Sequence, residues 1–383
     1  MDDALIYLDH HATTPCDPEV IAAMAPLWRE RFGNPASATH AAGRAAAAAV
    51  AQARAEVAAL IGASPAEIVF TSGATEALHL ALHGLVLARG ERPSHIVATA
   101  IEHAAVLDTC AALAAHGVGV TLVGVGPDGL VDPAAVIAAL RPDTVAVAVM
   151  AANNEVGTVQ PLAAIAAGCR AAGVPLVVDA AQAAGRIPCD AAQLGADLMA
   201  VSAHKIYGPK GVGALYVRRR PAPPLAPSRF GGGQERGLRP GTLNVPGVVG
   251  FGVAARLALV RLEADALAAR ALRDRLLAGL RAAVPDLHVH GDLVRRLPNN
   301  LSVAFPGVEA RALLEAVPAV AASSGSACAS AEPRASHVLR ALGADPSLHF
   351  STVRFGLGRE TTAAEVDRAV ALFAAAAARL RRY

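Results

Sequence analysis

Aromatic residues make up only 3% of this 383-residue sequence, and the formal net charge at pH 7 is only +2. Proteins that hold single-stranded nucleic acid use stacked aromatic rings in basic grooves, so the composition argues against that class. The balance of charge also argues against an anionic membrane surface as the main partner. Because charged residues are 17% and hydrophobic residues 54% of the chain, disorder is excluded as its main state.

Long uninterrupted hydrophobic runs are also absent. The longest uncharged stretch, Thr109–Pro127, contains His116 and several glycines. A membrane-spanning helix needs about 20 mostly apolar residues without such interruptions. The first residues, Met1-Asp2-Asp3, are acidic and do not resemble a signal peptide. We therefore expect a soluble, cytoplasmic protein.

The five cysteines are odd in number and form no CxxC pair, so neither a disulfide framework nor a zinc knuckle is indicated. Four lie in ordinary helical or turn contexts and are expected to be buried structural thiols: Cys16, Cys110, Cys169 and Cys189. Cys328 differs, because the small residues of Ser323–Ser330 cannot bury it. It is either an exposed nucleophilic thiol or an incidental cysteine in a linker.

Short apolar runs alternate with helical patterns through the middle of the chain. This alternation is typical of an α/β fold with a mostly parallel, seven-stranded sheet between helices. The runs predict strands at Glu67–Phe70, His95–Thr99, Val118–Val123, Thr144–Met150, Pro175–Val178, Leu198–Val201 and Gly213–Val217. The helical patterns predict helices at Thr75–Arg89, Ala104–His116, Pro133–Leu140, Leu162–Ala172 and Val248–Val284.

After Pro285 the pattern changes to short strands mixed with helices, as in a smaller α+β domain. The strands are predicted at Leu287–His290, Asn300–Ala304 and Val353–Leu357. We therefore predict a large domain over residues 16–255 and a small domain formed by residues 1–15 and 256–383. The small domain carries the loop with Cys328, at about residues 321–336.

Polar residues follow several of the predicted strands. Thr71–Glu76 joins small residues to a helix start, which suits a phosphate, although Thr75 is equally suited to cap the helix. Asp179 can pair with a cationic ligand group, cap a helix or bind a metal, and Gln182 one helical turn further on can face the same site. Because ligands bind beyond the carboxyl ends of parallel strands, we expect these side chains to converge.

Lys205 follows another strand, and only one other lysine, Lys210, occurs in the chain. A buried lysine with a lowered pKa is suited to Schiff-base chemistry, whereas a solvated surface lysine is the alternative. His103 can stack on a flat ligand or move protons, or it is a hydrogen-bonded structural residue. Asn154 can contact a ligand oxygen or cap its loop.

An anion cradle, an acid, a histidine and a scarce lysine together meet the needs of pyridoxal phosphate. In this interpretation Asp179 keeps the ring nitrogen protonated, and Lys205 carries the aldehyde as a Schiff base. Arg354, within an apolar strand, either makes a buried ion pair or binds a substrate carboxylate. A dinucleotide-dependent dehydrogenase is disfavoured, because no GxGxxG follows the first strand.

The sequence resembles the cysteine desulfurases of the NifS/IscS type, which are fold-type I pyridoxal phosphate enzymes of the class V aminotransferase family. The resemblance covers nearly the whole chain, and it is carried by Tyr7–Pro15, Phe32–Ser37, Phe70–Glu76, Asn153–Gly157, Asp179–Gln182, Ser202–Gly211, Gly231–Leu243, Ser323–Cys328 and Arg354–Arg359. It implies a homodimer that takes sulfur from L-cysteine, leaves L-alanine and holds the sulfur as a persulfide on Cys328. A sulfur-acceptor protein, such as an iron–sulfur scaffold, would then receive the sulfur.

The resemblance also assigns roles to individual residues. It makes Lys205 the Schiff-base lysine, Cys328 the nucleophile and His103 a ring-stacking proton carrier. Arg354 would bind the substrate, and Asn154 would contact the cofactor or the substrate. The other cofactor contacts implied are Ala74, Thr75, Asp179, Gln182, Ser202, His204 and, from the partner subunit, Thr242. Whether Cys328 also ligates a shared iron–sulfur cluster stays open.

Two other functions remain to be distinguished. A related aminotransferase, or a C–S or selenocysteine lyase that does not use Cys328, would keep full activity in Cys328→Ala. A catalytically silent binding or sulfur-carrier protein would lose no function when Lys205 is replaced. The residues do not identify the sulfur acceptor, because iron–sulfur assembly, tRNA thiolation and cofactor sulfuration all draw on persulfides.

Overall fold

The computed structural model describes residues 5–324 and 335–382, so the predicted nucleophile Cys328 lies outside the described residues. The strands are β1 (Ile6–Tyr7), β2 (Ile68–Thr71), β3 (His95–Thr99), β4 (Gly119–Val123), β5 (Thr144–Met150), β6 (Leu176–Asp179), β7 (Leu198–Ser202), β8 (Gly213–Val217), β9 (His288–Val289), β10 (Asn300–Ala304), β11 (Val320–Ala321) and β12 (Thr352–Gly356). The helices are α1 (Pro18–Met24), α2 (Pro26–Arg29), α3 (Ala41–Leu60), α4 (Ala74–Arg89), α5 (Ala104–Ala114), α6 (Pro133–Ala138), α7 (Leu162–Ala171), α8 (Ala191–Leu194), α9 (Val245–Ala283), α10 (Ala310–Glu315), α11 (His337–Ala341) and α12 (Ala363–Leu380).

The main sheet has seven strands in the order β2-β8-β7-β6-β5-β3-β4. Strands β4, β3, β5, β6 and β7 are parallel to one another, whereas β8 runs antiparallel to both β7 and β2. The predicted α/β fold is therefore confirmed, and each of the seven predicted runs coincides with a strand to within one residue at either end. The antiparallel direction of β8 was not part of the prediction.

Helices cover both faces of this sheet because alternate strand residues point to opposite sides. On one face, Val147 and Val149 of β5 pack in a core with residues of α3, α7 and the first half of α9. On the other face, Ala146 and Ala148 pack with α4 and α5. A strand buried on both sides needs apolar residues at every position, which is the physical reason for its continuous apolar run.

A second sheet, in the order β12-β10-β9, is antiparallel and lies over its own hydrophobic core. Phe373 of α12 is the centre of that core, with its ring 6.0 Å from Phe305 and 5.0 Å from Phe355. The short strand β1 pairs in parallel with β11, which brings the N-terminal segment beside the end of the small sheet.

Helix α9 contributes to both cores over its 39 residues. Asn244 caps its start by accepting a hydrogen bond from the N–H of Gly247 at 3.1 Å. Among the described residues, α9 is the only helix long and apolar enough to cross a membrane, and 56% of its most apolar window is buried inside the protein. That burial is typical of the core helix of a globular fold.

Candidate active site

The carboxyl ends of the parallel strands surround a cavity of about 450 Å³. Nine predicted site residues line it: Ala74, Thr75, His103, Asn154, Asp179, Gln182, Ser202, His204 and Lys205. The expectation that these side chains converge is therefore met by the structure. Their segments come from five places in the chain, which only the sheet topology brings together.

The N-terminus of α4 forms one wall of the cavity. Gly73 precedes the helix, so no side-chain cap satisfies the first N–H groups of the helix. Gly213 makes this arrangement possible, because a Cβ there would lie 2.7 Å from the Cα of Gly73. Helix N-termini attract anions through free N–H groups and the helix dipole, so this wall is suited to a phosphate.

Lys205 ends a short 3₁₀ turn directly after β7. Its Nζ donates hydrogen bonds to the carbonyl oxygens of His11 at 2.5 Å and Ala12 at 2.8 Å. Burial, followed by the positive charges of Arg354 and Arg186, lowers the pKa of this amine from 10.5 to about 8. The carboxylates of Asp179 and Asp9 oppose the shift. The lysine is thus a buried amine with an unusually large neutral fraction near physiological pH.

Asp179 is the last residue of β6 and lies at the floor of the same cavity. Burial raises the pKa of its carboxyl group, whereas the Ala181 N–H, His103 and Lys205 lower it. Its Oδ1 accepts a hydrogen bond from the Ala181 N–H at 2.9 Å. Since a buried carboxylate is stabilised by a nearby cation, Asp179 is suited to pair with a protonated ring nitrogen.

His103 caps helix α5, and this contact determines its tautomer. Its Nδ1 accepts a hydrogen bond from the Ala105 N–H at 3.0 Å. An imidazole nitrogen that accepts carries no proton, so in the neutral ring the proton is on Nε2. His103 therefore presents an N–H donor on the side of the ring away from α5.

Gln182 lies in a series of turns rather than one turn along a helix, as the sequence interpretation assumed. It still lines the cavity, held by His11 at both ends of its amide. His11 Nδ1 lies 2.9 Å from the Gln182 Oε1, and the Gln182 Nε2 donates to the His11 carbonyl at 2.9 Å. One amide hydrogen of Gln182 remains for a ligand, because an NH₂ group carries two donors.

Arg354 lies in β12 and is only 2% exposed. Its Nη2 pairs with Asp9 Oδ1 at 2.8 Å, and its Nη1 donates to the carbonyl of Asn154 at 3.0 Å. The guanidinium thus joins the N-terminal segment to the loop of the cavity residue Asn154. Of the two possibilities considered from the sequence, the buried ion pair is present.

Thr242 lies outside this cavity within the same chain. It lines a separate cavity of about 290 Å³ together with Asn34, Gln234 and Glu235. This position is compatible with the expectation that Thr242 serves the partner subunit. Three aromatic side chains of the described residues are more than 60% exposed: Trp28 at 66%, Phe32 at 74% and Phe230 at 87%.

The cysteines within the described residues are poor nucleophiles. Burial raises the pKa of Cys110 and Cys169 to about 11 and that of Cys189 to about 12. Cys16 is only half-buried, and its pKa is also raised by burial and by Asp17. A thiol with a raised pKa carries little thiolate at neutral pH, so these four behave as structural residues.

Several residues of the site were not among the sequence candidates. Asp9 and His11 lie on the segment after β1, and Arg186 lies after the Asp179 turns. Glu102, beside His103, is fully buried and accepts hydrogen bonds from the Thr99 hydroxyl and the Met150 N–H. The run of polar residues after a short apolar strand at the N-terminus was the signal that could have indicated Asp9 and His11.

Comparison with known proteins identifies the family. The aminotransferase class-V model matches residues 6–369. The chain belongs to the class-V aminotransferase family. It is 52% identical over 376 residues to the cysteine desulfurase IscS of Anaeromyxobacter dehalogenans, covering 98% of this chain and 93% of the relative.

Solved structures of relatives in this family have the same fold. A NifS-like protein matches with a TM-score of 0.90 and 37% identity, covering 97% of this chain and 98% of that one. A structure described as SspA in complex with cysteine matches with a TM-score of 0.81 and 34% identity, covering 92% and 98%. The resemblance read from the motifs is therefore confirmed.

Proposed function

We propose that this protein is a cysteine desulfurase, which takes sulfur from L-cysteine, releases L-alanine and passes the sulfur to an acceptor through Cys328. The observation that carries the proposal is the meeting of Lys205, Asp179, His103 and the N-terminus of α4 in one cavity. The cysteine desulfurase name of the relatives at about half identity supports it.

Pyridoxal phosphate, on which this family depends in general, fits the donor set of the cavity. The N-terminus of α4, with Thr75, Ser202 and His204, would hold the phosphate, and Asp179 would pair with the ring nitrogen. Burial and the two lysines lower the pKa of His204 to about 4, so it would bind as a neutral donor or acceptor. When bound, this cofactor supplies an aldehyde that condenses with amines and a ring that accepts electron density.

Lys205 would act first as the amine that binds the cofactor and then as the base that removes the α-proton of the substrate at Nζ. Its pKa of about 8 suits both roles, because a base works best when its pKa is near the operating pH. The carbonyls of His11 and Ala12 keep the amine directed along one wall of the cavity. His103 would stack on the cofactor ring and donate a proton from Nε2.

Asn154, Gln182 and Arg354 would orient the ring and the substrate. The Arg354 guanidinium would bind the substrate carboxylate, for which its planar pair of donors is suited. Asp9 already holds one of its nitrogens, so the substrate carboxylate would share the guanidinium with Asp9 or displace it.

The sulfur transfer itself requires a thiolate, and Cys328 is the cysteine we assign to it. The thiolate of Cys328 attacks the sulfur of bound cysteine, an S–S bond forms and the Cβ–S bond breaks. The electron pair of the broken bond is protonated on carbon, which yields the methyl group of alanine and a persulfide on Cys328. No external oxidant is needed, because the two-electron oxidation of the two sulfur atoms to a persulfide is balanced by the reduction of the substrate's Cβ carbon to a methyl group.

We further propose a homodimer in which Thr242 contributes to the phosphate site of the partner subunit. The side chains of Trp28, Phe32 and Phe230 are exposed, and Thr242 lies outside the cavity of Lys205 in the same chain. Both observations support this assembly. The two separate hydrophobic cores support a division into the large and small domains predicted above. We propose a cytoplasmic location and a sulfur-acceptor protein as the partner.

A single-turnover assay with L-cysteine, comparing the wild type with Cys328→Ala, tests the function. We expect alanine release and an additional 32 Da on the Cys328 peptide in the wild type, and loss of both in the variant. Alanine formation that survives in Cys328→Ala would instead indicate a lyase. A protein that binds the cofactor but forms no alanine would indicate an aminotransferase with another substrate.

A further inference from the structure

Arg186 is a buried arginine beside the Lys205 turn, and the unfavourable free energy of burying its charge is not offset by an ion pair among the described residues. It is 9% exposed, and no carboxylate within residues 5–324 and 335–382 lies within ion-pairing distance of it. Asp265, the acid whose charge acts on Arg186, pairs instead with Arg359 at 2.8 Å. A buried charge without a direct counter-ion is unfavourable, which makes a functional reason more probable than for a surface arginine.

The hydrogen bonds of Arg186 go to the backbone carbonyls of Lys205 and His10. Its Nη2 donates to the carbonyl of Lys205 at 2.9 Å and to the carbonyl of His10 at 3.2 Å. His10 immediately precedes the segment whose carbonyls accept from the Lys205 amine. One nitrogen of Arg186 therefore joins both ends of the arrangement that holds the lysine.

The neighbouring turn is itself constrained. Tyr207 adopts a left-handed backbone conformation with φ of 65°, which is unfavourable for a residue other than glycine. It is held there by Thr14, whose hydroxyl accepts from the Tyr207 N–H at 2.8 Å, and by the Arg359 guanidinium 4.2 Å from its ring. The lysine thus lies on a short turn whose backbone conformation is held by several contacts. A charged group attached to this turn therefore acts on the Lys205 amine from a constant position.

We propose that Arg186 is a positioning residue for Lys205, which joins the Lys205 and His10 carbonyls and keeps a fixed positive charge beside the lysine. This inference rests on the proposed role of Lys205. Its consequence is that the ammonium form of Lys205 is disfavoured and the reactive neutral amine is favoured.

Other groups also act on these two side chains, and each has a defined sign. Around Lys205, Arg354 and Arg186 favour the neutral amine, whereas Asp179 and Asp9 favour the ammonium. His11, which is buried, and His204, which is half-buried, also act on Lys205, and both have lowered pKa values, so they add no positive charge. Around Arg186 lie His10, Tyr207, Arg359 and Asp265.

The test measures the pH dependence of Lys205 acetylation by acetic anhydride in the full-length protein freed of cofactor. The chain contains only two lysines, so Lys210 serves as an internal reference in the same mass spectrum. The variants are Arg186→Met and Arg186→Gln, both of which remove the charge without adding a lysine. Arg273→Met is the matched control, because Arg273 is also a buried arginine but pairs with Asp274 and donates to the carbonyl of Leu297 rather than that of Lys205.

We expect a midpoint near pH 8 in the wild type and a midpoint about one unit higher in Arg186→Met. Arg186→Gln should shift the midpoint in the same direction as Arg186→Met, and Arg273→Met should leave the midpoint unchanged. An unchanged midpoint in Arg186→Met, or an equal shift in Arg273→Met, would overturn the proposal. If the methionine variant does not fold, Arg186→Gln replaces it with the same expected shift.

This readout needs neither substrate nor turnover. If the wild type made no alanine but Arg186→Met still raised the midpoint, the proposed function would fail and the role of Arg186 would stand. If alanine were formed normally and the midpoint did not move, the role of Arg186 alone would fail.

Discussion

The two sheets of this protein place their polar residues differently. In the seven-stranded sheet, Asp179 and Ser202 are the last residues of their strands, and the residues before them are apolar. In the three-stranded sheet, Asn300, Ser302 and Arg354 are almost completely buried within the strands themselves. The seven-stranded sheet therefore has functional polar groups at the carboxyl ends of its strands, whereas the three-stranded sheet has its polar groups within the strands.

The difference follows from where each side chain ends. A polar group at a strand end meets the cavity and needs no permanent partner, since a ligand or water can satisfy it. A charge inside a strand must be paired at all times, and Arg354 is paired with Asp9 and the Asn154 carbonyl. The strand-end site is thus ready to bind, whereas Arg354 must exchange or share a partner.

Removing the strand-end lysine should have the largest effect. We expect Lys205→Ala to lose at least about 1,000-fold in the rate of alanine formation, because both the cofactor-binding amine and the base disappear. The assay is alanine release from L-cysteine, with the unfolding midpoint measured beside it. A variant that retains a tenth of the activity would show that the strand end is not where the chemistry lies.

Changing the interior arginine should have a smaller and different effect. Arg354→Lys keeps the charge but loses the planar pair of donors, so we expect KM for L-cysteine to rise about 10- to 100-fold with a lesser change in kcat.

Asp9→Asn is the matched variant, because it releases Arg354 from its ion pair without removing the guanidinium. If Asp9 competes with the substrate carboxylate, KM should fall or stay level. A rise in KM equal to that of Arg354→Lys would mean that Asp9 only orients the arginine.

The rate of cofactor uptake should change with pH, by about tenfold. Because the Lys205 pKa is lowered from 10.5 to about 8, the neutral amine increases through pH 8 and is nearly complete by pH 9. The rate of pyridoxal phosphate uptake by the apoprotein, followed by absorbance, should therefore rise about tenfold from pH 7 to 9 and then level off. A rate that keeps rising to pH 10 would indicate an ordinary solvated lysine.

The smallest effect concerns the small sheet's supporting helix. Thr362 caps α12 by accepting from the Glu365 N–H at 3.2 Å, while Glu365 accepts in return from the Thr362 N–H. Thr362→Ala should lower the free energy of unfolding by about 1 kcal/mol. Denaturant unfolding would measure it, and catalysis at the distant strand ends should remain that of the wild type.

Much of the main sheet could be predicted because its strands are buried on both faces. Continuous apolar runs such as Thr144–Met150 and Gly213–Val217 have no other common explanation when they alternate with helical patterns. The amphipathic α12 was not predicted as a separate element, although its buried residues Val366, Ala369, Phe373 and Ala376 follow the helical period. The antiparallel direction of β8 was also missed, because direction depends on pairing rather than on composition.

The candidate site divides in the same way. The residue types at the strand ends, Asp179, His103 and Lys205, indicated the chemistry before their positions were known. The hydrogen-bond and ion-pair partners within the site could not be predicted, because each contact joins residues that are far apart in the sequence. His11 and Gln182, for example, are 171 residues apart, and Arg354 and Asp9 are 345 apart.

The sequence by itself determined the fold class and the identity of the groups that meet at the cavity. Both depend on local properties, namely burial period and chemical type. Only the tertiary structure decided the charge state of those groups, because the pKa of Lys205 depends on its burial and on Arg186 and Arg354. Electrostatic energy depends on the distance between charges and on the water removed around them, and neither quantity is encoded at any single position.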